Sequence, residues 1–272
     1  MQAVASLPSF VLDSRTREFY RRAMRTLQRG GLPFLVGGSY AFGGFTGIER
    51  HTKDFDVFIL RQDWPRAAEL FRAAGYKAEL TFPHWIGKAL QGDDFVDLIY
   101  GAGNGVAIVD DLWFRHAVPG RVLDMDVELI PAEEMIWSKG LIMERERFDG
   151  ADVAHVIHAL GPKLDWRRLI DRYAHLWRAL YAHMILFGLI FPSDRDRIPA
   201  WAMKELSLRL TEEVSEGPAH EKICNGTLLS RQQYLVDINE RGYADARLQP
   251  LGNMTAEEIA HWTAGIAIDG HM

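Results

Sequence analysis

The sequence predicts an α+β (mixed α/β) fold followed by a C-terminal helical domain. Up to about residue 160, short apolar segments with the length and composition of strands are interspersed with amphipathic helical segments. Beyond that point, the apolar residues recur at helical spacing. We therefore expect a mixed domain at residues 1–160 and a helical domain at residues 161–272.

Capping residues, stop residues and the periodicity of apolar residues predict the elements of the mixed domain. The first helix is predicted between Ser14, a candidate N-cap, and Gly30, which stops it. Further helices are predicted at residues 63–75, at 109–118 and from Pro131 toward Arg147. Six segments have the composition of strands, in chain order PFLVGG, DFDVFIL, KAELTF, WIGKAL, FVDLIYG and VLDMDVELI.

The helical domain begins with apolar residues at helical intervals. They predict one helix over LDWRRLIDRYAHLWRALYAHMILFG, and AWAMKELSLRLTEEV predicts a second. Two capping-box patterns, Ser230 with Gln233 and Thr255 with Glu258, predict the starts of two more. The run ALYAHMILFGLIF is shorter than the roughly 20 residues that cross a bilayer. We interpret it as a buried helix and expect no membrane partner.

Composition limits the function classes. The chain has 272 residues, of which 48% are hydrophobic, and a formal net charge of -6, so general affinity for polyanions is not indicated. Its one cysteine, Cys224, excludes an internal disulfide and a cysteine-based zinc site. The first residues lack a secretion-signal pattern. We expect a cytoplasmic protein of undetermined oligomeric state.

A glycine turn and an acidic strand carry the candidate chemistry. Gly37 and Gly38 end a predicted strand, and Ser39 follows at a helix start, so backbone N–H groups there can approach a phosphate. Asp54 and Asp56 are spaced i and i+2 on the next predicted strand and project from one face. Carboxylate pairs of this kind bind hard cations such as Mg²⁺ or Mn²⁺.

A second acid-x-acid pair in the chain shows why the preceding Gly-Gly-Ser motif matters. Asp124-Met125-Asp126 has the same acidic spacing on a similar predicted strand, but no Gly-Gly-Ser precedes it. An isolated acid-x-acid strand is most simply a solvated sheet edge. The combination with the glycine turn therefore favours a site at Asp54 and Asp56.

The Gly-Gly-Ser motif followed by Arg50-x-Thr52-Lys53-Asp54-x-Asp56 resembles the DNA polymerase beta-like nucleotidyltransferase superfamily. The lead-in Arg50-His51-Thr52-Lys53 is most similar to the AbiEii-like branch, which contains type IV toxin–antitoxin nucleotidyltransferases. The resemblance implies a small mixed sheet flanked by helices. It also implies triphosphate contacts from Gly38, Ser39 and the Arg50 and Thr52 lead-in, with Asp54 and Asp56 as metal ligands.

The resemblance further implies a third carboxylate on a neighbouring strand. Asp97 in FVDLIY is the best match, and Asp126 is the alternative. An aspartate among apolar residues is costly to bury without a partner or metal. The structural alternative is that Asp97 lies on the wet face of the sheet.

Lys139 and the run ERERFDGADVAHVI resemble a pattern found after the catalytic sheet in the AbiEii-like branch. The resemblance implies that Lys139 contacts the triphosphate and that Arg145 or Arg147 binds a phosphate or an acid. Asp149 and Asp152 also have structural interpretations, as a helix N-cap and as a first-turn acid.

These features predict a metal-dependent nucleotidyltransferase. It would move an NMP from an NTP to an acceptor hydroxyl by a two-metal in-line mechanism and release pyrophosphate. The acceptor stays open among a small molecule, a protein side chain and an RNA end. Two alternatives remain: a non-catalytic nucleotide-binding or toxin–antitoxin-type interaction protein on the same fold, and a metal-dependent phosphohydrolase.

Overall fold

The computed structural model describes residues 12–50, 52 and 54–265. By their contacts these residues form two compact units, a sheet unit (12–103 and 107–131) and a helical unit (104–106 and 132–265). The contacts divide the chain after Pro131, because the helix Ala132–Lys139 packs on later helices. A functional division at residue 160 stays a prediction.

The sheet unit is a mixed sheet flanked by helices, as the predicted fold class requires. Its strands are β1 (Leu35–Val36), β2 (Asp56–Phe58), β3 (Lys77–Phe82), β4 (Ile86–Gln91), β5 (Asp94–Ile99), β6 (Val118–Val122) and β7 (Met125–Leu129). Their order across the sheet is β3-β4-β5-β2-β1-β7-β6. The pairs β2–β5 and β1–β7 are parallel, and the other neighbours are antiparallel.

The helices of this unit are α1 (Ser14–Arg29), α2 (Gly38–Thr46), α3 (Trp64–Ala73) and α4 (Asp111–Arg115). The N-cap of α1 is Asp13, whose carboxylate accepts from the backbone N–H groups of Arg15 and Thr16, and not Ser14 as predicted. Gly30 ends the helix as expected. The shorter side chain of Ser14 is not needed because Asp13 already supplies the cap acceptor.

One face of the sheet packs on helices α1 and α3, and the polar strand residues project from the other face. Phe55 is fully buried and stacks on Tyr20 of α1 at 4.7 Å. At Gly87 of β4, a Cβ would overlap the ring of Trp64 from α3. Because successive strand residues point to opposite faces, Asp56 and Lys88, the next residues along, project away from these helices.

The segment VLDMDVELI is not one strand but the end of a hairpin. β6 turns into β7 at Leu123 and Asp124, which have φ values of 49° and 61°. Arg21 of α1 donates to the Leu123 carbonyl at 2.7 Å, and Arg17 and Arg21 form ion pairs with Asp124. These contacts from a distant helix hold a left-handed turn that leucine disfavours, although aspartate adopts this conformation more readily than most residues.

The helical unit contains α5 (Ala132–Lys139), α6 (Gly150–Leu160), α7 (Trp166–Tyr173), α8 (Trp177–Ile190), α9 (Ala200–Glu216), α10 (Leu235–Asn239) and α11 (Ala256–Ala264). Two short strands, β8 (Ile223–Cys224) and β9 (Ala244–Asp245), pair in parallel. The predicted capping box of Thr255 and Glu258 is confirmed at α11. The Ser230 hydroxyl accepts from the Gln233 N–H at 3.2 Å, as the predicted pattern requires, and donates to Glu144. The helix α10 nevertheless starts only at Leu235, with Tyr234 as its N-cap.

Two predicted helices are shorter than expected. The helix from Pro131 toward Arg147 stops at Lys139, and the carbonyl of the next residue, Gly140, accepts from buried His183 at 2.8 Å. The helix predicted over residues 164–188 divides into α7 and α8 at Ala174, where φ is 44° and ψ is -120°. That backbone conformation cannot continue an α-helix.

The apolar helix α8 is buried on one face only. Leu180, Met184 and Phe187 are inside, whereas Ile185 is 52% exposed and Leu189 is 76% exposed. The prediction of a buried helix is therefore wrong for its outer face. Within the described part of the chain, no helix is both long enough and apolar enough to cross a membrane.

Candidate active site

Phe55, between the two aspartates of the motif, is a core residue, so alternation directs Asp54 and Asp56 toward the opposite face of the sheet. Regular pairing with β5 already starts at Phe55, whose carbonyl accepts from the Asp97 N–H at 3.0 Å. The Thr52 hydroxyl accepts from the Asp54 N–H at 3.0 Å and donates to the Asp54 carbonyl at 3.1 Å. Thr52 therefore fixes the backbone at Asp54, in addition to any contact with a nucleotide.

Asp97 lies beside Asp56 and not on a wet face. The two residues are direct register partners on the parallel strands β2 and β5, so their side chains leave the sheet on the same side. Asp97 is only 8% exposed. The sheet thus brings together two acids that are far apart in sequence.

The glycine turn packs directly on this pair. The Gly37 N–H donates to the Asp56 carbonyl at 3.0 Å. Gly38 has a φ of +54°, and a Cβ at this position would overlap Asp56 Oδ2. Helix α2 starts here without a side-chain cap, and Ser39 is its second residue. The N-terminus of α2, which favours anions, therefore lies against the Asp56 carboxylate.

Electrostatics show that the acids interact. Burial raises the pKa of the Asp97 carboxyl, nearby Lys88 opposes this shift, and the negative charge of Asp54 adds to it. Burial, followed by the charges of Asp94, Asp54, Asp97 and Asp56, raises the pKa of Tyr20 to about 12. A cation placed among these carboxylates would relieve their mutual repulsion.

Lys88 is a site residue that the sequence predictions did not include. Its Nζ lies 2.7 Å from Asp97 Oδ1 and 4.0 Å from the centroid of the Phe95 ring. The available signal was a lysine in the otherwise apolar strand WIGKAL. Its pairing with Asp97 depends on the register between β4 and β5, which the sequence does not display.

The three predicted metal ligands offer the right chemistry, but Asp97 is directed at Lys88. Among the described residues, no group of three His, Cys, Asp or Glu side chains is arranged to hold a metal ion. The hard carboxylate oxygens on one face, with Asp54 and Asp97 repelling each other, still fit a divalent cation. The ligand role of Asp54, Asp56 and Asp97 stays a prediction.

The remaining residues of the lead-in are only partly described. The Arg50 guanidinium lies over the ring of Phe42 from α2, 4.4 Å from its centroid. His51 and Lys53 lie outside the described residues. Contact between Arg50 and a triphosphate stays a prediction.

Asp126, the alternative third carboxylate, is not brought to this site. It lies on β7, which is separated from β2 by β1. Val36 pairs with Leu129, whereas Gly37 pairs with Asp56 through its N–H group. Asp126 therefore lies toward the opposite end of the sheet from the glycine turn, which favours Asp97.

In the helical unit, Lys139 already has carboxylate partners. Its Nζ lies 2.9 Å from Asp149 Oδ2 and 2.8 Å from Asp152 Oδ2, and all three side chains are nearly buried. Arg147 donates to both oxygens of Asp149, at 3.0 and 2.8 Å. Burial raises the pKa of Asp149, but hydrogen bonds and charge from Arg147 and Lys139 outweigh it and lower the pKa overall.

This cluster changes the structural interpretations of the two acids. Asp149 precedes α6, but its carboxylate caps no backbone N–H group and pairs with Lys139 and Arg147 instead. Asp152 is in the first turn and also pairs with Lys139. Arg145 is 80% exposed and pairs with Glu146. The triphosphate role of Lys139 stays a prediction.

No family model matches the chain, and no curated protein matches it at a significant level. Among solved structures, it is similar to an antigenic nucleotidyltransferase-like protein from Paracoccidioides brasiliensis, with 15% identity and a TM-score of 0.45 over 68% of this chain and 94% of that chain. It is similar to ANT(2'')-Ia in complex with adenylyl-2''-tobramycin, with 15% identity and a TM-score of 0.42 over 62% of this chain and 99% of that chain. It is also similar to lincomycin-bound LnuA, a lincosamide antibiotic adenylyltransferase, with 13% identity and a TM-score of 0.37 over 53% of this chain and 96% of that chain. Membership of the AbiEii-like branch stays a prediction.

Proposed function

We propose that the sheet unit is a metal-dependent nucleotidyltransferase that moves an NMP from an NTP to an acceptor hydroxyl. The observation that carries the proposal is the packing of the Gly37-Gly38 turn against Asp56, with Asp97 in register beside it. This geometry puts a helix N-terminus, which favours phosphate, next to carboxylates, which favour Mg²⁺ or Mn²⁺.

Each residue has a role that follows from its position. The backbone at Gly37, Gly38 and Ser39 receives the triphosphate, because these residues open helix α2 without a side-chain cap beside Asp56. Asp54 and Asp56 supply the oxygen ligands of the metal, and Thr52 holds Asp54 in place. Asp97 completes the acidic face toward the acceptor.

The reaction is an in-line displacement. The acceptor hydroxyl oxygen attacks the α-phosphorus, the bond to the bridging β-phosphate oxygen breaks, and pyrophosphate leaves with that electron pair. The hydroxyl proton passes to solvent. When bound, a divalent ion would neutralise the triphosphate and lower the pKa of the acceptor hydroxyl. The chain itself contributes orientation and preorganised charge.

The number of ions depends on Lys88. The sequence predicts two ions, one shared by Asp54, Asp56 and Asp97 and one bound by Asp54 and Asp56. The ligands for both are complete only when Asp97 gives up its contact with Lys88.

The test is transfer of label. The protein is incubated with each of the four α-labelled NTPs, Mg²⁺ and a cell extract divided into small-molecule, protein and RNA fractions. We expect label to be attached covalently to an acceptor in one fraction. Label that ends only as free nucleotide would indicate the phosphohydrolase, and nucleotide binding without turnover would indicate the non-catalytic alternative.

A pair of variants assigns the activity to this site. Asp56→Asn removes a metal-ligand charge without changing the size of the side chain, so we expect transfer to fall at least about 100-fold with little loss of stability. Glu128→Gln is the matched control, because Glu128 is an exposed acid on β7 of the same sheet. Unchanged transfer in Asp56→Asn would remove the basis of the proposal.

A further inference from the structure

Four charged residues form a row across four neighbouring strands. Glu79 of β3 pairs with Lys88 of β4, Lys88 with Asp97 of β5, and Asp97 with Asp56 of β2. Register partners project from the same face of a sheet, so all four side chains lie on the face that carries the glycine turn. Lys88 is the cation in this row, and it lies next to the acids of the candidate metal site.

Lys88 is held there by more than a surface ion pair. Its ammonium lies 2.7 Å from Asp97 Oδ1 and 4.0 Å from the centroid of the Phe95 ring. The Asp97 side chain is 11% exposed and that of Lys88 is 27% exposed. Partial burial weakens screening by solvent and salt, so the ammonium and the carboxylate interact more strongly than exposed charges do.

A second divalent ion would compete with this ammonium. An ion that uses Asp97 as a ligand would bind within a few ångströms of Lys88 Nζ, and the two positive charges would repel each other. An ion bound through Asp54 and Asp56 avoids the Asp97 oxygen that Lys88 contacts. The charge of Lys88 therefore disfavours the ion that uses Asp97 far more than the ion bound through Asp54 and Asp56 alone.

We propose that Lys88 takes the place of one of the two divalent ions, so that the complex of this chain with an NTP binds a single divalent ion, through Asp54 and Asp56. The inference rests on the proposed function and specifies its cofactor stoichiometry. Lys88 acts as a positioning residue through Asp97. It neutralises the carboxylate that would otherwise recruit the second ion.

The test counts Mn²⁺ ions by electron paramagnetic resonance of the free ion, at saturating non-hydrolysable ATP analogue. We expect one Mn²⁺ per chain–nucleotide complex in the wild type and two in Lys88→Met, because the variant frees Asp97 without adding a charge. Two ions in the wild type, or one in a folded Lys88→Met, would overturn the inference. Lys88→Gln provides a second neutral variant if Lys88→Met does not fold.

Two controls identify the second site. Lys88→Met/Asp97→Asn should return to one ion, because the ligand of the added ion is gone. Lys77→Met, which removes an exposed lysine from β3, should keep one ion. A chain that binds no nucleotide would instead contradict the proposed function. Nucleotide binding and label transfer with two ions in the wild type would contradict only the role of Lys88.

Discussion

Gly38 and Asp56 are packed so closely that position 38 has no room for a side chain. A Cβ there would overlap Asp56 Oδ2, and Gly38 also has a φ of +54°. The glycine is therefore required twice, once by the backbone conformation and once by the neighbouring carboxylate. This contact links the Gly37-Gly38 turn to the acidic strand.

Gly38→Ala should lower transfer activity far more than the accompanying loss of stability accounts for. We expect about 1–2 kcal/mol of left-handed backbone strain and, because Asp56 is displaced, about a 100-fold loss of transfer. Gly47→Ala is the matched control, since Gly47 has a φ of +71° but no atom within 4 Å of its Cβ position. Urea unfolding and label transfer measure the two effects. Equal losses of transfer in both variants would contradict a specific role for the contact.

Lys139→Met should destabilise the helical unit. Its removal leaves Asp149 and Asp152 without their shared cation, and breaking a nearly buried ion pair costs about 3–5 kcal/mol. Chemical denaturation of the full chain measures this loss, and Lys139→Arg should recover part of it. An unchanged denaturation midpoint with a higher KM for NTP would instead support the triphosphate role of Lys139.

Asp245 should make stability depend on pH under acidic conditions. Burial raises the pKa of Asp245, but hydrogen bonds from the buried Arg247 outweigh it, so the pKa in the folded chain is lowered. Its contribution is present above the unfolded pKa of about 3.9 and disappears as pH falls through the folded value. The stability difference between wild type and Asp245→Asn should therefore narrow below about pH 4.

Unfolding in urea at a series of pH values measures this difference. Glu212→Gln on the exposed side of α9 is the control, and its curve should stay parallel to that of the wild type. A constant difference between wild type and Asp245→Asn down to pH 3 would contradict the assignment.

Ala174→Gly should stabilise the chain. Ala174 has a φ of 44° between α7 and α8, a conformation that costs a non-glycine residue about 1 kcal/mol or more. In Ala182→Gly, an exposed position within α8, the same substitution should destabilise by about 1 kcal/mol. Thermal unfolding of both variants tests the sign, and a lower Tm in both would show that the turn at Ala174 is not strained.

The sequence by itself determined the features that depend on neighbouring residues. The i and i+2 spacing of Asp54 and Asp56 on a predicted strand predicted that they share one face, and the Gly37-Gly38-Ser39 order indicated a helix start next to a strand end. The alternation of strand and helix patterns gave the mixed fold class. These properties are local because strand alternation and helix capping are complete within a few residues.

Only the tertiary structure decided the rest, because it depends on residues distant in the chain. The register of β5 with β2 and β4 set Asp97 beside Asp56 and opposite Lys88. Contacts from α1 hold the turn that splits VLDMDVELI, and the contact of His183 with the Gly140 carbonyl accompanies the end of α5. Cross-strand register and long-range ion pairs form only when the chain is packed, so no local pattern displays them.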